Sequence, residues 1–188
     1  MKKLHIPVVL GTARKGANSI KVARYLFGEL KKKSSIKTKL LKVETFMLGR
    51  TVPDWQSKKL TRPWSKEVDA ADAFVFVIPE YNHGYPGELK MVMDQVFDQY
   101  YRKPCLLVGV STGRFGGARV LENISPVITN FEMVITGKLY FDNVKELFDQ
   151  NGNIKDPHSW GKRVQKQYHM LYEDAKGMKV FRENEKSA

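Results

Sequence analysis

Three short stretches gather residue types suited to holding an anion and a flat heterocycle. The first, GTARKGANS (11–19), sets Gly11, the hydroxyl of Thr12, the guanidinium of Arg14 and the small polar pair Asn18 and Ser19 between an apolar run and a helical pattern. Backbone N–H groups at a helix start have no intrahelical partner, so an anion there gains hydrogen bonds and the helix dipole. Arg14 adds charge, and a phosphate monoester suits such a cup. The stretch contains neither G-x-G-x-x-G nor G-x-x-x-x-G-K-[ST], which argues against a dinucleotide fingerprint and a nucleotide-triphosphate loop. The plainer alternative is an ordinary strand–helix connection with Asn18 or Ser19 as its cap.

The second stretch, PEYNHGYPG (79–87), follows the most apolar run in the chain. Asn82, His83 and Gly84 are turn formers that aim backbone amides outward, and Tyr81 and Tyr85 supply flat apolar surface beside them. Such a loop is able to grip the edge of a planar ring. His83 has no evident carboxylate to orient it, so a solvated or structural role is its simpler account. Glu80 is open to a pairing across a subunit contact. The third stretch, STGRFGG (111–117), offers Ser111, Gly113 and two further glycines that permit close backbone approach to a ligand. Arg114 and Arg119 suit negative charge or structural ion pairs equally well. The histidines at 5, 83, 158 and 169 show no metal-ligand spacing, and Cys105 stands alone.

These stretches need elements that bring them to one place. Apolar runs alternate with helical patterns: strands are predicted over 5–11, 36–43, 73–79, 105–111 and 132–141, and helices near 18–33, 86–100, 120–128 and 158–176. The uninterrupted run 73–79 belongs in the middle of a sheet covered on both faces. Strand–helix alternation argues for an α/β fold with a five-stranded parallel sheet, order 2-1-3-4-5, and helices on both faces. In such a sheet the loops after the first, third and fourth strands meet at the carboxyl edge, where ligands bind. Those loops are the three stretches above. The least regular part, 45–68, is expected to be a long crossover, residues 1–176 a single domain, and 177–188 a polar, mobile tail.

The chain of 188 residues is long enough for a sizeable core and has no apolar stretch of membrane-span length. One cysteine excludes an intramolecular disulfide and suggests a cytoplasmic setting. The net charge of +12 admits nucleic-acid binding or steering of anionic small molecules. Its lysine excess in KKKSSIKTKLLK (31–42) lacks interleaved aromatics, which makes a nucleic-acid partner the weaker account.

VVLGTARKGANSIKVARYL, VIPEYNHGYPGELKMVMDQ and STGRFGGARV resemble the NADPH-dependent FMN reductase family, which includes quinone, azo-dye and chromate reductases. The likeness runs from about residue 5 to about 140. Gly11 and Arg14 match the family's G-S-x-R-x-x-S-x-N loop and Thr12 keeps a hydroxyl, while Ala17 and Ser19 depart from it. The resemblance implies a flavodoxin-like fold holding FMN, its 5′-phosphate on Thr12, Arg14, Asn18 and Ser19. It implies the isoalloxazine ring against Pro79, Glu80, Tyr81, Asn82, His83 and Gly84, with Ser111 and Gly113 near the other side. It further implies NADPH or NADH as co-substrate, a small-molecule electron acceptor, and a homodimer or homotetramer. No obligatory acid–base residue is expected, because the cofactor carries the reaction. Two other readings remain: a flavodoxin-type electron carrier, and a basic-surface binding protein on the same fold.

Overall fold

The structure, a computed structural model, describes residues 3–185. A five-stranded parallel sheet runs in the order β4-β2-β5-β6-β7, formed by β2 (Val8–Leu10), β4 (Leu40–Lys42), β5 (Phe74–Pro79), β6 (Pro104–Val110) and β7 (Val134–Phe141). Counting these strands along the chain, the order is 2-1-3-4-5, as expected. Two more short strands, β1 (Leu4–His5) and β3 (Ile36–Lys37), extend the β2/β4 edge as a parallel pair. The predicted strand over 5–11 is thus divided at Pro7. Ile6 N–H and Val8 N–H still donate to the Lys37 and Lys39 carbonyls, whereas Pro7 has no N–H for its own side of the ladder.

The sheet is buried on both faces because the central strands alternate between two cores. Val75 and Val77 of β5, with Leu106, Val108 and Val110 of β6, pack on one side against helices α1 (Ser19–Lys31), α5 (Val144–Leu147) and α6 (Pro157–Glu185). Phe74, Phe76 and Ile78 of β5, with Cys105 and Leu107 of β6, pack on the other side against α2 (Lys58–Ala70), α3 (Gly87–Met93) and α4 (Ala118–Asn130). A continuous apolar run is what a strand needs when neither face meets water. Cys105 lies fully inside, and burial pushes its thiol well up, away from the reactive thiolate.

Three expectations about elements are corrected. The segment 45–68 is not irregular throughout, because Ser57 caps α2 by accepting the Leu60 N–H, and the helix carries Pro63 inside it. Trp64 of that helix is buried and its indole donates to the Tyr100 hydroxyl at 2.8 Å. The helix expected over 86–100 stops at Met93 and is followed by a turn and a 3-10 segment, Asp98–Tyr100. Gln95 is buried there, donating to the Phe46 carbonyl. Finally, α6 continues from the expected stop at 176 to Glu185, tied down by Lys179 to Asp72 at 2.9 Å and by Arg182 to the Arg102 carbonyl. Only 186–188 of the expected tail lie outside the described residues.

Candidate functional site

The loops after β2, β5 and β6 converge at the carboxyl edge of the sheet around a cleft of about 450 Å³, a volume typical of small-molecule sites. Its lining takes Arg14, Asn18 and Ser19 from the first loop, Pro79 to Asn82 from the second, and Ser111 from the third. Ala17, Val110, Thr112 and Val144 complete it. These four were missed because they are small or apolar, and only Ala17 and Thr112 could have been found, by lying within the loops. Thr12, His83, Gly84 and Gly113 lie outside the lining.

At the first loop, Asn18 stands at the N-cap of α1 but makes no capping bond through its side chain. Ser19 is 1% exposed, yet its Oγ has no hydrogen-bond partner among the described residues. A buried hydroxyl without a partner costs stability, so one left open beside a helix N-terminus and a guanidinium marks a place for an acceptor. An ordinary cap would have used one of these groups; neither is used.

Thr12 does not share that freedom. Its hydroxyl donates to Glu88 Oε1 at 2.9 Å, and the Ala13 N–H donates to the same oxygen at 3.0 Å. Thr12 also lies outside the cleft lining, and with its hydroxyl hydrogen committed to Glu88 it is not free to donate to a phosphate. Burial pushes the Glu88 carboxyl up, but hydrogen bonds from the Ala13 amide, its own amide and Thr12 outweigh it and hold the group below its ordinary value. Glu88 is therefore ionised. The sequence reading overlooked it, since an acid in the first turn of a helix is explained by the dipole alone.

The second loop closes in a tight turn. Tyr81 N–H donates to the Gly84 carbonyl and Gly84 N–H to the Tyr81 carbonyl, with Asn82 at φ 48° and His83 at φ 65°. Left-handed backbone at both central residues is the geometry of a type I′ turn. Tyr81 is fixed further by Arg14, whose Nε donates to the Tyr81 hydroxyl at 2.9 Å while the guanidinium lies over the ring. Glu80 faces His83 Nδ1 at 3.3 Å and Arg119 at 3.7 Å, so its charge is met within the chain rather than across a subunit contact. Its Oε2 is buried without a hydrogen-bond partner among the described residues.

In the third loop, Ser111 Oγ donates to the Gly113 carbonyl, which also receives Asn143 N–H. The close approach expected of the glycines occurs, but against the protein itself. A Cβ on Gly117 (φ 82°) would come within 2.7 Å of Val110 N, and one on Gly109 within 2.6 Å of the Gly116 carbonyl oxygen. This clearance lets α4 start directly against β6 and holds Ser111 and Thr112 at the cleft.

The family model for NADPH-dependent FMN reductase matches residues 4–145, the span that contains all three loops and every strand. The chain belongs to this family. A quinone reductase of Pseudomonas putida is 30% identical over 161 residues, covering 80% of this chain and 84% of that protein. An NAD(P)H-dependent FMN reductase of Saccharomyces cerevisiae is 36% identical over 88 residues, 47% of this chain and 44% of that protein, so the likeness spans less than half of the yeast relative. Among solved structures, the flavoenzyme NAD(P)H:(acceptor) oxidoreductase of Paracoccus denitrificans superposes with a TM-score of 0.75 at 18% identity, covering 92% of this chain and 98% of that one. The flavodoxin-like family fold is thereby established. No helix among the described residues is long and apolar enough to cross a membrane.

Proposed function

We propose that this family member is an FMN-dependent NAD(P)H oxidoreductase that passes reducing equivalents to a small acceptor such as a flavin, quinone, azo dye or metal oxyanion. The observation that carries the reading is the Ser19 hydroxyl, buried at the start of α1 without a hydrogen-bond partner among the described residues and lining the same cleft as Arg14. Ser19, Asn18 and Arg14 would hold the 5′-phosphate of FMN. Pro79, Glu80, Tyr81 and Asn82 would flank its ring, with Ser111 opposite. His83, Gly84 and Gly113 would contribute by shaping the turns that present those groups. FMN, when bound, supplies two-electron acceptance from a nicotinamide and delivery to the second substrate. The chain's part is to anchor, orient and exclude water. The carboxylate of Glu80 is held by His83 and Arg119, and no side chain is required to move a proton.

The positive charge of the chain favours NADPH over NADH through its field on the extra phosphate. A homodimer or homotetramer is supported by Trp55 (77% exposed) and Phe97 (45% exposed), large apolar groups that a second copy would cover. Trp55→Glu should shift sedimentation toward the monomer, and an unchanged distribution would place the contact elsewhere. A cytoplasmic location agrees with the single, buried Cys105.

The deciding experiment is anaerobic mixing of the FMN-loaded protein with NADPH and with NADH. Loss of the flavin absorbance at roughly 450 nm, restored on adding a quinone, is expected. Persistence of that band with both nucleotides would leave only an electron carrier.

A further inference from the structure

Glu88, Thr12, Tyr81 and Arg14 form one continuous hydrogen-bonded chain, and its direction is forced. An ionised carboxylate only accepts hydrogen bonds, and a threonine hydroxyl has one hydrogen and two acceptor positions. Thr12 Oγ1 lies 2.9 Å from Glu88 Oε1 and must donate to it. Its acceptor positions are then filled by the Arg14 N–H at 3.1 Å and by the Tyr81 hydroxyl at 3.1 Å, which is left as the donor. With its hydrogen committed to Thr12, the Tyr81 oxygen accepts from Arg14 Nε at 2.9 Å. The Ala13 N–H, donating to the same Glu88 oxygen at 3.0 Å, ties the loop backbone to the carboxylate.

We infer that Glu88 is a positioning residue for the anion-binding end of the cleft, acting through Thr12 and Tyr81 to hold the Arg14 guanidinium toward the bound phosphate. Each hydroxyl hydrogen in the relay is committed to the next group, Tyr81 to Thr12 and Thr12 to Glu88. Arg14 is engaged through Nε, which leaves its terminal nitrogens for an anion, and it lines the cleft with Ser19. The second loop is thereby joined to the first, so the ring-facing turn and the phosphate cup keep a fixed spacing. Because Glu88 is not among the residues that line the cleft, its effect is on position alone.

This inference rests on the reading of the cleft as an FMN site, and the test separates the two. Dissociation constants for FMN and for riboflavin, which lacks the phosphate, are measured by quenching of flavin fluorescence. The wild-type protein should prefer FMN; a wild-type protein without that preference would overturn the phosphate site and this inference with it. Glu88→Ala should weaken FMN about tenfold, the worth of roughly one charge-assisted hydrogen bond, while leaving riboflavin unchanged. Glu88→Gln, which keeps an amide oxygen to accept from Thr12 and Ala13, should restore most of the FMN preference. Adding Thr12→Val to Glu88→Ala should weaken FMN no further, because both cut the same relay. A wild-type preference that survives Glu88→Ala intact, or equal weakening of both ligands, overturns the role of Glu88 alone. Should Glu88→Ala not fold, Tyr81→Phe carries the test: selective weakening of FMN supports the relay, and an unchanged FMN-to-riboflavin ratio overturns it.

Discussion

Arg14 and Ser19 make opposite demands on the empty and loaded protein. Arg14 is exposed, so its removal should scarcely change folding. Arg14→Ala should nevertheless lower FMN affinity by on the order of 1.5–3 kcal/mol, the loss of a hydrogen bond to a charged group, and unchanged affinity in a titration would put the phosphate elsewhere. Ser19→Ala removes a buried hydroxyl that has no partner among the described residues. The apo protein should therefore unfold at equal or slightly higher urea, by up to about 1 kcal/mol, while FMN binds more weakly. A destabilised apo variant would mean that the hydroxyl is bonded in the free protein. Both residues were legible in the sequence from type and place. Glu88 was not, because its role depends on α3 bringing a carboxylate under a loop more than seventy positions earlier in the chain.

The junction between β6 and α4 shows how elements hold the cleft. Gly109 sits inside a strand, where glycine is otherwise a weak choice, and a Cβ there would strike the Gly116 and Gly117 carbonyl oxygens at 2.6 and 2.8 Å. Gly109→Ala should cost about 1–3 kcal/mol or more, as backbone must move to admit the methyl group. Because that backbone carries the third loop, FMN affinity should fall along with the urea midpoint; a variant with normal stability and normal binding would refute the close contact. The strands with continuous apolar runs were readable because burial on both faces leaves no alternative pattern. The helix α2 was not, since Pro53 and Pro63 mask its start and Trp64 lies on a face identifiable only once Tyr100 is opposite it. Likewise the apolar stripe over 86–100 follows packing against the sheet, and it persists after the backbone leaves the helix at Met93.

Across the whole molecule, the far edge of the sheet from the cleft couples folding to pH. His5 is 7% exposed, and burial lowers its pKa below the ordinary 6.5, with Lys37 and Lys39 adding to the effect against its backbone bond and Glu67. The unfolded chain thus takes up the proton first. Stability from this group is complete above about pH 6.5 and is lost as pH falls through that value toward the lower folded one, with a slope of at most about 1.4 kcal/mol per pH unit. Urea unfolding between pH 7.5 and 5 should show the decline, and His5→Leu should flatten it; an equal slope in that variant would assign the decline to other groups.

From its own residues the chain determined the parallel order, the two cores and the meeting of three loops, because apolar runs, helical stripes and turn formers are local consequences of side-chain type. The family likeness of those loops was equally readable. Tertiary structure alone decided which polar groups stay available at the cleft. It spent Thr12 on Glu88, left Ser19 open, paired Glu80 within the chain, and carried α6 to Glu185 through contacts with Asp72 and Arg102. A hydrogen bond depends on where its partner comes to lie, and packing of distant segments sets that position.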